Sequence, residues 1–129
     1  MITPHTGERP VPPLPAGWVL ARVTGPSMTP TVRHGDRLLV RRLSPGRARV
    51  GDVVLARFPA RPDLLVVKRV HRLLGGGAVD VRGDNPLVTD DSRAYGPAVA
   101  VGRVVGRLRP RPGRLAPPPG DQARPRSSA

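Results

Sequence analysis

Asp63-Leu64-Leu65-Val66-Val67-Lys68-Arg69-Val70-His71-Arg72-Leu73 is the stretch on which the fold turns. Residues 64 to 73 are rich in branched apolar side chains and read as a strand. Alternation along it puts Leu64, Val66, Lys68 and Val70 on one face and Leu65, Val67, Arg69 and His71 on the other. Lys68 is the single lysine among 22 basic side chains. A codon bias that also supplies 18 Pro and 15 Gly explains the scarcity of lysine, but not the position of this one between two valines. Two readings of it stand side by side. On an outer face its amine snorkels to water. Kept from water, the amine loses its proton and serves as a base, which a guanidinium cannot do.

Further short apolar runs lie on either side: Trp18 to Val23, Arg37 to Arg41, Val53 to Phe58, Ala78 to Val81 and Val99 to Leu108. Gly-Asp at 35–36 and 51–52, Pro-Asp at 62–63 and a glycine triplet at 75–77 punctuate them as turns between antiparallel strands. Helical periodicity is weak, with room for at most one helical turn after Ser27, where Pro30 sits early. The expectation is an all-β fold, a compact antiparallel β domain over residues 16–108. Residues 1–15 and 109–129, dense in Pro, Gly and charge, read as disordered or extended arms.

Composition narrows the function classes. A chain of 129 residues holds one core, and with 2% aromatic residues that core is aliphatic. The absence of cysteine excludes disulfides, thiolate metal sites and cysteine nucleophiles, and His5, His34 and His71 are too scattered for a metal site, so no metal or cofactor is expected. A net charge of +13 attracts polyanions, although three aromatic residues offer little for base stacking. Five of the arginines fall in residues 109–129. The stretch Pro10 to Ala21 is too short and proline-rich to cross a bilayer, and no basic region precedes an apolar segment as in a secretory signal. The chain reads as soluble and cytoplasmic, without a transmembrane anchor.

A lysine base needs a nucleophile, and a loop serine after a strand is the usual one. Of five serines, Ser127 and Ser128 lie in the tail and Ser44 in a polar turn; Ser92 belongs to a polar segment, Thr89-Asp90-Asp91-Ser92-Arg93. Ser27 remains, in Gly25-Pro26-Ser27-Met28-Thr29-Pro30-Thr31 just after the run ending at Val23. Taken alone, such a segment is more often a turn or a helix cap than an active site. Thr89 or Ser92 offers a hydroxyl to orient the Lys68 amine, and Asp91 with Arg93 offers a pair that holds the loop.

The ordered set GPSMTPT at 25–31, GD at 35–36 and 51–52, VVKRV at 66–70, and GDN with DDSRAYG within 83–96 resembles the type I signal peptidases, serine proteases with a Ser/Lys dyad on an all-β fold. The resemblance spans about residues 18 to 108. It implies Ser27 as nucleophile, Lys68 as general base, Met28 and Pro30 as residues shaping the turn and substrate cleft, and Thr89 as the hydroxyl beside the amine. Asp91 and Arg93, flanking Ser92, match a supporting ion pair. Pro26 and Gly25 stand where relatives carry a small residue and an oxyanion-hole hydroxyl, so more of that task passes to the Ser27 N–H. Fourteen residues between Lys68 and Gly83 leave no room for the large inserted domain of some bacterial members.

The implied activity is that of an endopeptidase removing an N-terminal leader from a precursor protein. The chain looks most like the small soluble proteases of this group that mature nickel superoxide dismutase; general cleavage of secreted preproteins is the alternative. Self-cleavage at Ala16-Gly17 is a third protease reading, with only nine residues between Gly17 and Ser27. A basic nucleic-acid-binding module with inert Ser27 and Lys68 is the reading from a different class.

Overall fold

A computed structural model describes residues 2–4, 14, 16–109 and 112–117 of the 129. Seven strands and one short helix follow in the order β1 (Ile2–Pro4), β2 (Trp18–Val23), β3 (Arg37–Arg42), β4 (Val53–Phe58), β5 (Arg61–Gly75), β6 (Ala78–Arg82), α1 (Ser92–Tyr95) and β7 (Ala98–Arg109). All strand pairings are antiparallel, in the order β1-β2-β3-β7-β4-β5-β6. The all-β expectation holds.

An extra pairing of β6 with the start of β7 closes β4, β5, β6 and β7 into a ring. Alternate residues of all four strands fill its interior: Val54, Ala56 and Phe58, then Val66 and Val70, Val79 and Val81, and Ala98 and Ala100. A second core lies on the other side of the sheet, where Ala21, Val23, Leu38, Val40 and Val104 meet the outward residues Val53, Leu55 and Val67. Both faces of β5 are therefore buried at its middle, and five consecutive residues from Val66 to Val70 are shielded. Phe58 closes one end of the ring core against Tyr95 of α1, ring centroids 5.2 Å apart.

The two Gly-Asp turns are built alike. Asp36 accepts from the Arg33 N–H at 2.8 Å, and Asp52 from the Arg49 N–H at 2.9 Å. Each carboxylate then meets an arginine of β7, Arg107 at 3.5 Å and Arg103 at 3.0 Å, so one long strand pins both turns. In the β5–β6 hairpin the glycine triplet has φ of 84°, 60° and 81° at Gly75, Gly76 and Gly77, conformations open to glycine.

One detail departs from the sequence-based expectation. Residues 28–32 close a single helical-type turn, with Val32 N–H donating to Met28 O, after a turn in which Thr29 N–H donates to Pro26 O, as the room after Ser27 allowed. The departure is a short helix at Ser92–Tyr95, inside the expected polar loop, where the Asp91 side chain caps the Arg93 N–H. Of the two arms, Ile2–Pro4 is extended and pairs with β2, Arg109 ends β7 and Gly113 bridges to Arg107; the remainder, apart from Leu14 and residues 112–117, lies outside the described residues. Among the described residues no helix is long and apolar enough to cross a membrane.

Candidate active site

Lys68 projects into the ring. It stands directly across from Val54 of β4 and shares its face with Val66 and Val70, all members of the ring core. Only 2% of its surface is exposed. Among the described residues it makes no ion pair, unlike its neighbour Arg69. Burial holds the Lys68 amine below the ordinary lysine range; the more distant charges of Asp91 and Asp90 pull it back up, and that of Arg93 pushes it down.

The register carries Ser27 to the same place. Arg69 pairs with Arg82 and Val70 with Val81, so the next step along the ladder sets Lys68 opposite Gly83, the first residue past β6. Residues opposed in this way direct their side chains to one face. A Cβ at Gly83 would lie 2.5 Å from the Ser27 carbonyl oxygen and 3.5 Å from the Ser27 Cβ. The serine loop thus rests on Gly83, on the face where the lysine projects. No residue larger than glycine fits there without displacing the loop.

Hydrogen bonds fix this contact. Asn85 N–H donates to Ser27 O at 2.9 Å, and the Asn85 side-chain amide donates to Pro26 O at 3.0 Å. Beneath the loop, Met28 is 1% exposed and its sulfur accepts from the Asp84 N–H at 3.4 Å. Met28 is a buried anchor of the turn and gives no surface to a cleft; Pro30, after a cis Thr29–Pro30 bond, is exposed. Thr31 donates its hydroxyl to Asp84 Oδ2 at 2.6 Å. Asp84 in turn receives Arg69 Nε and Nη2, a pair with side chains 4% and 0% exposed. A rigid path therefore runs from the residue after Lys68 to both flanks of Ser27.

The third segment contributes unevenly. Asp91 is fully buried and grips Arg93 through two bonds, at 2.9 and 2.7 Å. It also accepts from the Gly83 N–H at 3.0 Å, which ties the platform under Ser27 to α1. Burial alone would raise the Asp91 pKa, but the bonds from Arg93 and Gly83 outweigh it and hold the carboxyl below its ordinary value. Ser92 Oγ is half-buried and accepts from the Val81 N–H at 2.9 Å, locking α1 onto β6. Thr89 is exposed and uses only its carbonyl, toward the Asp91 N–H at 2.9 Å; its hydroxyl makes no bond to the Lys68 amine.

Around the serine the donors sort themselves. Gly25 N–H is committed to His34 Nδ1 at 3.0 Å, and Pro26 has no N–H. Ser27 is half-buried, and among the described residues neither its N–H nor its hydroxyl is hydrogen-bonded. A hydroxyl free to lose its proton and a backbone donor free to meet an oxyanion thus belong to one residue.

Sequence reasoning missed Gly83 as the platform, and Arg69 with Asp84 as the brace. The signal for the brace was present: an arginine on a strand face with Leu65 and Val67 requires a buried acid, and Gly83-Asp84-Asn85 offers one.

Comparison with known proteins gives a consistent picture. The chain is 33% identical over 111 residues to mitochondrial inner membrane protease subunit 1 of Xenopus tropicalis, covering 67% of this chain and 66% of that protein. It is 36% identical over 99 residues to mitochondrial ATP-independent inner membrane protease subunit 1a of Arabidopsis thaliana (58% and 59% covered). To the Homo sapiens subunit 1 it is 33% identical over 107 residues (66% and 63%). The chain thus spans less than two thirds of the length of these relatives. No solved structure gives a significant match. The family model Peptidase S24-like matches residues 10–105, a range that takes in the serine loop, the buried lysine and the Gly83 platform, and the chain belongs to that family.

Proposed function

We propose that the protein is a serine endopeptidase in which Ser27 is the nucleophile and Lys68 the general base. The observation that carries this reading is the placement, opposite Gly83, against which Ser27 rests, of a buried amine with no ion-pair partner among the described residues. Near neutral pH an ordinary lysine is neutral in fewer than about one molecule in a thousand. The burial of Lys68 raises that fraction.

Neutral Lys68 takes the Ser27 hydroxyl proton as the oxygen attacks the substrate carbonyl carbon. The negative charge that collects on the carbonyl oxygen is met by the Ser27 N–H. Collapse of this intermediate breaks the peptide C–N bond, and the proton held on Lys68 passes to the departing amine. The remaining ester is opened by a water that gives its proton to Lys68; as the acid product leaves, Lys68 returns that proton to the Ser27 oxygen, restoring the free hydroxyl and the neutral amine. Arg69, Asp84 and Asn85 hold the serine loop while Asp91 and Arg93 hold its platform.

The substrate class we assign is the N-terminal leader of a precursor protein. Within that class, likeness of the run Asp63 to Arg69 to the proteases that mature nickel superoxide dismutase supports such a precursor. The inner membrane protease subunits among the relatives favour the broader reading, signal-peptidase-type cleavage of preproteins. Self-cleavage at Ala16-Gly17 is disfavoured, because Gly17, just before β2, is tied to the sheet by its carbonyl, which accepts from the Arg42 N–H of β3 at 2.8 Å.

Incubation of a nickel superoxide dismutase precursor and of a secretory preprotein with the wild type and Ser27→Ala tests the assignment. Wild type is expected to generate a new N-terminus in the first, and Ser27→Ala none. Cleavage of the second alone would move the substrate to the broader class. Cleavage by Ser27→Ala would overturn the mechanism. Salt-dependent binding of nucleic acid with no cleavage of either would favour the basic binding module.

A further inference from the structure

The segment after β7 turns back onto the site. Arg107 and Gly113 exchange both backbone bonds, at 2.8 and 3.0 Å, and Gly106 permits the approach, since a Cβ there would lie 3.1 Å from Gly113 O. Leu115 then packs, half-buried, on the core that contains Met28 and Val32. The next carbonyl, Ala116 O, accepts from Arg69 Nη2 at 3.1 Å. Pro117 restricts Ala116 to extended conformations.

Arg69 is 3% exposed, so each of its N–H groups needs an acceptor inside the protein. Nε goes to Asp84, Nη1 to Gly51 O at 2.8 Å, and the two hydrogens of Nη2 to Asp84 Oδ2 at 2.9 Å and to Ala116 O. Ala116 is itself exposed and lies over this guanidinium. Its carbonyl thus satisfies one N–H of this buried guanidinium, beside the Arg69–Asp84 pair. Asp84 holds Thr31 and Met28, and Arg107, at the base of the returning segment, donates to Thr31 O at 3.2 Å. Both ends of the return therefore bear on the loop that carries Ser27. The returning segment itself, residues 112–117, lies beyond residue 105, where the family match ends.

We propose that residues 112–117 are a clasp that positions the nucleophile loop through Arg69, with Leu115 as its anchor and the Ala116 carbonyl as its contact. The clasp is a positioning element and does not touch substrate. Its effect on turnover rests on the peptidase reading; its effect on the loop does not.

Two readouts separate these. The first is amide hydrogen exchange over residues 27–32, and the second is cleavage of a quenched peptide with alanines before the scissile bond. Leu115→Asp in the full chain, and a chain ending at Arg111, are compared with a chain lacking only residues 120–129. Leu115→Asp is expected to speed exchange over residues 27–32 and to lower kcat by roughly tenfold or more with KM little changed, as displacement of a nucleophile does. Leu115→Met restores both, and loss of residues 120–129 changes neither. If the chain ending at Arg111 does not fold, Leu115→Asp decides alone. Unchanged exchange and unchanged kcat in a folded Leu115→Asp would overturn the clasp. Faster exchange in a protein whose wild type cleaves no peptide would uphold the clasp and count against the peptidase reading.

Discussion

Lys68 and Arg69 are adjacent, equally buried and both cationic by type, yet the protein treats them in opposite ways. Arg69, facing away from the ring, has a carboxylate and two carbonyls around its guanidinium. Lys68, facing into it, has valines on three sides and no ion-pair partner among the described residues. A buried guanidinium stays charged and must be satisfied; a buried amine escapes the cost by giving up its proton. One strand thus separates brace from base by alternation alone.

The sharpest way to break this contrast is to exchange the chemistry at position 68. Lys68→Arg is expected to lower the cleavage rate by about 10² to 10⁴, the range general bases contribute. Substantial turnover by this variant would remove the lysine from the mechanism. Lys68→Met should be equally inactive but more stable than wild type near neutral pH, since it fills the same apolar place without an amine. The direction of the Lys68 pKa fixes two pH dependences. The wild-type rate rises with pH along a limb below the ordinary lysine range. Between the lowered folded value and the unfolded value of about 10.4, the unfolded chain binds more protons, so stability also rises with pH across that window. Thermal melts of Lys68→Met should lack that slope, and its persistence would refute the assignment to Lys68.

On the Arg69 face the same logic predicts the reverse. Asp84→Asn leaves a buried guanidinium without its counter-charge and is expected to cost about 3–5 kcal/mol, measurable as a lower Tm. Turnover should fall as well, by less than in Lys68→Arg, because the Thr31 hydroxyl loses the carboxylate that fixes it beside the serine loop, while the backbone N–H at position 84 still reaches Met28. A melting temperature equal to that of wild type would show that the brace carries no load, and the contrast with Lys68 would lose half its content.

How much of this was legible depends on the distance over which each feature is encoded. The bounds of β2 and β4 follow from local runs, and the two faces of β5 from alternation within ten residues. The helix at Ser92–Tyr95 is too short to show a period and depends on the Asp91 cap. Ring closure through Ala78 and Val79 with Ala98 and Val99 is a pairing across about twenty residues that no local window contains. The contact of Gly83 with Ser27 spans 56 positions, and it requires the absence of a side chain, which composition does not announce. The contact of Ala116 with Arg69 crosses 47 positions from a segment read as part of a tail.

The smallest expected effect falls on Thr89, where motif and geometry part. The resemblance to type I signal peptidases implies a hydroxyl beside the lysine amine at this position, yet Thr89 is exposed and its hydroxyl makes no hydrogen bond among the described residues. Ser92 is the hydroxyl the fold uses, and it serves the backbone of β6. Thr89→Ala should therefore change the cleavage rate by no more than about twofold, as for an exposed side chain without partners, where effects stay within roughly 0.5 kcal/mol. Ser92→Ala leaves the Val81 N–H without its acceptor and should cost about 1–3 kcal/mol. The ratio of the two effects on kcat reads out which residue keeps the platform in register with Lys68. A Thr89→Ala loss larger than that of Ser92→Ala would mean that bound substrate draws the Thr89 hydroxyl inward to the amine, so that the orienting bond forms in the complex and not in the free enzyme.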